Sequence, residues 1–427
     1  MNETASLAAQ QVELTHAIDS VWVALCAALI FQMEGGFALL EAGFVRSKNA
    51  VSIIAKVMID IMFGGIAFYV VGFGIAYGKS NGWWAFDLGI SDGDLGLGLT
   101  VSNRLFWFIQ MGFAVAAISI VSGGVAERMK MWSYAVYVTI FCAIMYPLAA
   151  NWVWNPNGWL ALRGFNDFAG SAAVHAMGGF AALAGAIVLG PRLGKYNEDG
   201  SINAIPGHNL TLSAVGAFIL WFGWFGFNAG SAVASNGTAG LALLNTIGAT
   251  VAAVLAWLLV EKIRDGHATS LGSASGVVAG LVAITPACAA VDARGALIIG
   301  FVAGALCALS VGLKFRFGFD DSLDVVAVHL VGGIVGTILI GFVGVEVGLF
   351  NGGGTEQLVK QVIGVVAVLA YSFIVSFLIA KIIDKTIGFR ISRDEEISGI
   401  DLAIHAERGY ELTDNTQGGV FGASKGA

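Results

Sequence analysis

Short polar loops divide this chain into eleven apolar stretches, each read as a membrane span, because a helix needs about 20 mostly apolar residues to cross a bilayer. They run Ser20 to Phe44, Val51 to Tyr77, Leu105 to Val125, Tyr134 to Trp154, Phe168 to Leu189, Leu210 to Ala229, Leu241 to Val260, Leu271 to Thr285, Gly295 to Leu313, Leu323 to Val343 and Val359 to Ile383. The eighth is short and interrupted by glycines. Composition agrees: 57% of the 427 residues are hydrophobic and 12% are charged, about half the charged share of a soluble domain. The chain reads as an all-α polytopic membrane protein. Its 59 glycines against 5 prolines suit helices packed backbone to backbone, since no hydrophobic effect separates protein from lipid. The first eighteen residues hold no lysine or arginine, so a signal peptide with a basic leader is not expected and the first stretch reads as a retained span.

Positive charge sets the expected orientation. Arg46 and Lys48, Arg128 and Lys130, Arg192 and Lys195, Lys262 and Arg264, Lys314 and Arg316, then Lys385, Arg390 and Arg393 all follow odd-numbered spans. The cytoplasmic-positive bias therefore places the N-terminus outside and the C-terminus inside.

Two stretches half a chain apart match each other. Asp167 to His175 and Asp321 to His329 each place an aspartate eight residues before a histidine, Ala-Val just before the histidine, and Gly-Gly three residues after it. With the expected orientation, span five runs inward and span ten outward, so spans one to five and six to ten form an inverted repeat, which puts a substrate site near the midplane. Eight residues of helix rise about 12 Å, so His175 and His329 approach one level from opposite sides.

An ionisable side chain inside an apolar span is by default a candidate for a substrate or proton path. Imidazole gains and loses a proton near neutrality, and two neutral imidazoles in contact donate and accept along a line. Such a pair suits a proton or a small hydrogen-bonding molecule and disfavours a permanently hydrated cation. Packing alone, two satisfied core histidines, ranks lower because both fall at symmetric positions. A metal is not expected, for want of a third ligand at suitable spacing. Asp167 either caps its helix or raises local cation concentration, two compatible roles; helix capping is the stronger reading for Asp321 and Asp324. The aromatic run Trp221 to Ser231 ends span six, and reads either as an interfacial belt or as a cation-attracting vestibule.

Other classes find little support. A net charge of -7 and no basic stripe argue against nucleic acid. The lone cysteines Cys26, Cys142, Cys288 and Cys307 form no CxxC pair and read as buried apolar residues. No nucleophile and base pair accompanies the histidines, so an enzyme is not expected, nor any cofactor.

The motifs Asp-Phe-Ala-Gly-Ser at 167–171 with His175, Gly-Trp-Phe-Gly-Phe-Asn-Ala-Gly-Ser at 223–231, Thr-Pro-Ala-Cys at 285–288, Gly-Ala-Leu-Ile-Ile-Gly at 295–300 and Asp-Val-Val-Ala-Val-His-Leu-Val-Gly-Gly-Ile-Val-Gly at 324–336 together resemble the Amt/Mep/Rh ammonium transporters, on the Amt side. The resemblance spans nearly the whole chain. It implies a homotrimer of eleven-helix protomers in a bacterial plasma membrane, each with its own narrow pore. The membrane domain would cover residues 1–388, with repeats at 20–190 and 209–343 and an eleventh helix at 359–383, followed by a cytoplasmic tail at 389–427.

The same resemblance makes Phe113 and Phe227 the stacked pair closing the outer pore entrance, Ser231 a vestibule hydroxyl accepting from ammonium, Asp167 its supporting carboxylate and Trp154, chosen among three neighbouring indoles, the vestibule tryptophan. His175 and His329 match the paired pore histidines, and Thr285 lies in a block placed near the pore lining. Ammonium would be gathered outside, deprotonated, and conducted as ammonia, with the proton either following through the histidines or returning; methylammonium is a further candidate substrate. Alternatives are an ammonium sensor and a neutral gas channel of Rh type. The loop from Gly190 to His208 would dock a PII-type signal protein. In the tail, Ala406 stands where a His-Gly-Glu order is expected, which weakens the case for docking against the cytoplasmic loops.

Overall fold

The fold was obtained as a computed structural model, which describes residues 2–87, 89–90 and 93–410. Among these residues every extended element is helical, and strand pairing is limited to isolated bridges such as Met129 with Arg390. Ten helices among the described residues are long and apolar enough to cross a membrane: α1 (Asn2–Phe44), α2 (Ser47–Tyr77), α3 (Asn103–Gly124), α4 (Met131–Trp154), α5 (Ser171–Leu189), α6 (Leu210–Gly230), α7 (Gly237–Asp265), α9 (Ala293–Phe317), α10 (Val326–Val343) and α11 (Glu356–Thr386). Between them lies α8 (Ser270–Ile284), a shorter apolar helix at the place of the weak eighth stretch. Side-chain caps explain where several begin: Ser102, Asn209, Asn236, Thr269 and Asp292 each accept a backbone N–H of the first turn of α3, α6, α7, α8 and α9, satisfying donors that a helix start leaves unpaired.

One boundary differs from the sequence reading. Helix α1 starts at Asn2, not at Ser20, and residues 5–18 are exposed. This segment is rich in alanine, leucine, glutamine and glutamate with no glycine or proline, so helix propensity carries the helix beyond the apolar stretch. Hydropathy reports burial and cannot see such an extension.

The repeated Gly-Gly pairs explain how α5 and α10 cross. A Cβ on Gly179 would stand 2.7 Å from Leu330 N, and one on Gly333 would stand 3.0 Å from Ala176 N. Each second glycine thus lies against the residue that follows the other repeat's histidine. Any larger side chain at either position would push the two backbones, and with them the two imidazoles, apart.

At the basic end of the bundle the loops are tied by buried ions. Arg192 bonds Asp320 through Nε at 2.7 Å and Nη2 at 2.9 Å, and Glu127 through Nη1 at 2.8 Å; Arg46 Nε reaches Glu127 at 3.0 Å. Arg128 is fully buried and donates to the carbonyls of Gly124, Ala126 and Gly190. Burial alone would raise the Glu127 carboxyl, but the Arg192 and Arg46 guanidiniums overcome it and hold it at about 2. Asp320 is likewise held below the carboxylate range by Arg192 against its burial.

The tail, described as far as Tyr410, packs on this end. The Asp401 carboxylate accepts the Val51 and Ser52 N–H groups, Asn49 Oδ1 accepts Ile400 N–H, Lys48 Nζ donates to the carbonyls of Glu396 and Ile397, and Arg390 pairs with Glu396. Docking therefore occurs despite Ala406, which takes up φ 54° where glycine was expected. Residues 411–427 of the expected tail domain lie outside the described residues.

Candidate functional site

A hollow of about 300 Å³ open to water lies beside Trp154, Phe113, Phe168 and Ser231, with Tyr77 and Gln110 on its wall. From it a line of rings leads into the bundle. Trp154 and Phe113 have centroids 6.1 Å apart, Phe113 and Phe227 4.5 Å, Phe227 and His175 5.5 Å, and His175 and His329 5.5 Å. Phe113 and Phe227 meet edge to face at 69° rather than stacked, the arrangement that ring quadrupoles favour. Both rings are buried and stand between Trp154 and His175 in this line of contacts.

The two imidazoles meet, with Nδ1 facing Nδ1 at 3.4 Å. One of the two nitrogens must carry the proton, so the pair shares a single hydrogen bond whose direction is set by tautomer. His175 is fully buried, its Nε2 has no partner, and its ring stacks on Trp224 at 4.8 Å. Trp224 in turn donates to Thr285 Oγ1 at 2.8 Å, and Thr285 donates to Leu281 O or Asn228 Oδ1. Thr285 thus acts on the histidine through an indole and is itself buried in protein. His329 borders a second, small cavity on the other side.

Asp167 does not open to the hollow. Its carboxylate accepts four backbone N–H groups, from Gly170, Ser171, Ala172 and Ala173, at 2.6–3.1 Å, and is 3% exposed. It caps α5, where burial pushes its carboxyl up to about 6 against the four backbone donors that favour the anion, and its carbonyl anchors Trp154 by accepting Nε1–H at 2.7 Å. Gly170, at φ 104°, turns the chain into the helix where a Cβ would meet the Trp154 ring at 2.9 Å. Asp321 repeats the role for α10 by accepting Val326 N–H at 2.8 Å, whereas Asp324 pairs with Lys314. Ser231, at the end of α6, donates its Oγ–H to Phe227 O at 2.8 Å and lines the hollow. The other two indoles go elsewhere: Trp152 and Trp159 pack on Trp83.

Two features went unread in the sequence. Tyr77 Oη donates to Gln110 Oε1 at 2.6 Å in the wall of the hollow, a pairing no spacing rule connects. The second is a set of buried ionisable residues in α1 and α2, Glu34, Glu41, Lys56 and Asp60, all at most 3% exposed. The spacing of Lys56 and Asp60, four residues apart within an apolar span, is a signal that a search for intramembrane charges finds. Among the described residues, no three histidine, cysteine or carboxylate side chains are grouped to hold a metal.

A family model described as the Ammonium Transporter Family matches residues 21–410. An ammonium transporter of Mycobacterium tuberculosis is 41% identical, over 92% of this chain and 90% of its own length, and Ammonium transporter Amt2 of Archaeoglobus fulgidus is 38% identical, over 92% and 88%. Among solved structures, one named Sensor Amt Protein superposes with a TM-score of 0.87 at 35% identity, covering 92% of this chain and 99% of that one. Candida albicans Mep2 superposes with a TM-score of 0.82 at 30% identity, covering 89% and 87%.

Proposed function

The chain belongs to the ammonium transporter family, and from that premise we propose how a multi-pass membrane protein of this kind moves its substrate. Ammonium gathers in the outer hollow, held by the Trp154 and Phe113 rings and by the lone pairs of Ser231. Ring faces attract a desolvating cation by about 2 kcal/mol or more. Ammonium is close to potassium in size, so selection by size fails; a donor that can surrender its proton is what separates them. At the Phe113 and Phe227 gate the ion gives up a proton, ammonia continues past His175 and His329, and the proton follows through the histidine pair. The observation that carries this reading is the unbroken line of rings from Trp154 to two imidazoles in contact at 3.4 Å.

The basic end is taken as cytoplasmic, on the positive-inside bias, and the eleven helices as an inverted repeat with the N-terminus outside. The family resemblance supports a homotrimer with one pore per protomer and a PII-type partner on the Gly190–His208 loop. The test is an ammonium pulse on proteoliposomes, against protein-free vesicles and His175→Ala. A protein-dependent current lost in the variant supports the proton relay. Alkalinisation of the vesicle without current means neutral ammonia conduction. Silence in both signals from folded protein favours a sensor, the description carried by one superposable structure. In His175→Asp and His329→Glu, exclusion of potassium is expected to weaken; unchanged preference in both counts against the relay.

A further inference from the structure

The buried charges of α1 and α2 have no role in that path, yet their geometry requires a bound proton. Ser119 Oγ lies 2.8 Å from Glu34 Oε2, 3.0 Å from Asp60 Oδ2 and 3.0 Å from Val115 O. A hydroxyl has one proton to donate. It can satisfy one carboxylate, and the other contact then needs a proton of its own, because two bare oxygen atoms at that distance would repel in a dry interior. The neighbours say which carboxyl carries it. Tyr134 Oη donates to Asp60 Oδ1 at 2.7 Å, so Asp60 already receives one donor and suits the anion. Glu34 Oε1 has no partner at all, which a neutral carbonyl oxygen tolerates far better than a charged one. The consistent assignment runs Glu34 Oε2–H to Ser119 Oγ, Ser119 Oγ–H to Asp60 Oδ2, and Tyr134 Oη–H to Asp60 Oδ1.

Two further groups complete the cluster. Lys56 is fully buried and its Nζ has no hydrogen-bond partner, only the face of the Tyr134 ring at 5.2 Å. The charged groups facing it are Glu41 and Asp60, with Arg128 and Glu127 from the basic end; Cys142 of α4 faces Asp60 and Glu34. Glu41 accepts Ser122 Oγ–H at 2.9 Å. It also borders the small cavity that His329 borders, a largely apolar space between Phe37, Phe44 and Val328 with Ser275 as its other polar side chain. That cavity has a volume of about 30 Å³, room for about two or three waters at roughly 10–15 Å³ each on that measure.

We infer that Glu41, backed by the Glu34–Ser119–Asp60 triad and Lys56, is an intramembrane proton-binding site that receives the transported proton from His329 and passes it to the cytoplasm. The inference rests on the proton relay proposed above. The step balances simply. His329 as imidazolium loses a proton through one cavity water to the Glu41 carboxylate, becoming neutral imidazole, and the Glu41 carboxyl then gives that proton to cytoplasmic water. With Lys56 charged and one proton on the triad, the cluster carries one net negative charge at rest and none while loaded. Loading therefore neutralises the one uncompensated negative charge that the resting cluster holds in the apolar interior.

Glu41→Gln keeps the acceptor for Ser122 and removes the proton acceptor facing the lumen. In proteoliposomes the ammonium-evoked current is expected to fall at least tenfold while vesicle alkalinisation, absent when the proton accompanies ammonia, appears; a current within twofold of wild type across the pH range overturns the site. Ser122→Ala keeps Glu41 but removes a donor to its anion, so the acid-side fall of the current should move to higher pH; an unmoved profile in folded protein counts against it. Should the wild type carry no current, the relay itself fails, and infrared spectroscopy decides the cluster separately. A protonated carboxyl band at neutral pH, lost in Glu34→Gln, supports the bound proton, and absence of that band in the wild type overturns it.

Discussion

Two buried charge clusters, one joining the loops after α3, α5 and α9 and one within α1 and α2, differ in one respect. At the basic end, Glu127, Arg192 and Asp320 are sealed from solvent and joined by ion pairs of 2.7–2.8 Å. Deeper in the bundle, Glu34, Glu41, Lys56 and Asp60 are as thoroughly buried, yet Lys56 Nζ and Glu34 Oε1 have no hydrogen-bond partner. The first arrangement fixes every charge by an opposite one and holds loops together. The second leaves carboxylates bridged by hydroxyls, which fixes positions while letting protons come and go. The buried polar side chains of α6 and α7 use neither device: there Asn228 donates to Thr246 and Asn245 to two carbonyls, neutral contacts that join helices and carry no charge.

The largest expected effect lies at the paired cluster. Arg192→Ala leaves Glu127 and Asp320 buried without their shared partner and should cost about 3–5 kcal/mol, read as a fall in thermal stability in detergent. A loss near zero would erase the contrast between the clusters. Acid should act on the same place. Glu127 is held at about 2 against an ordinary 4.5, so its contribution is fully present above pH 4.5 and is lost as pH falls toward 2. The difference corresponds to about 3 kcal/mol. Glu127→Gln should flatten that acid limb of the stability profile, and Glu34→Gln should leave it in place.

The deeper cluster should respond to isosteric changes in an order set by its proton. Asp60→Asn presents an amide to two donors, Ser119 and Tyr134, and should cost about 1–3 kcal/mol. Glu34→Gln replaces an O–H donor by an N–H donor toward Ser119 and should cost under about 1 kcal/mol. The reverse order, measured by the same unfolding assay, would move the proton to Asp60. Smallest is the tail: Ala406→Gly removes a left-handed alanine and should stabilise docking by about 1 kcal/mol, seen as slower proteolysis between residues 390 and 410.

Much of this architecture was legible because lipid imposes strict rules. A span must be apolar along its whole length, so the eleven stretches could be counted, and even the short α8 fell where the hydropathy was weakest. The matched histidine segments stood out since a repeat leaves two copies to compare, and the motif at 223–231 named Phe227 and Ser231 directly. Asp167 was read with two compatible roles, and four backbone N–H groups now make the cap visible. The extension of α1 to Asn2 escaped, because exposed helix has no hydropathy signature. Lys56 and Asp60 carry a local signal, two charges four residues apart in an apolar span, while their relation to Ser119 and Tyr134, on two other helices, has no trace in any local spacing.

By itself the sequence determined that this chain is a multi-pass membrane protein, which of its segments are apolar enough to span, and that two histidines sit at matching positions of two similar segments. These are properties of residue type and period, and each is decided within one helix. Only the tertiary structure decided that Nδ1 meets Nδ1, that Thr285 reaches His175 through Trp224, and that one serine lies between two carboxylates. Such facts depend on how separate helices cross, and crossing is fixed by close contacts such as Gly179 on Leu330 and Gly333 on Ala176, which bring together residues more than 150 positions apart.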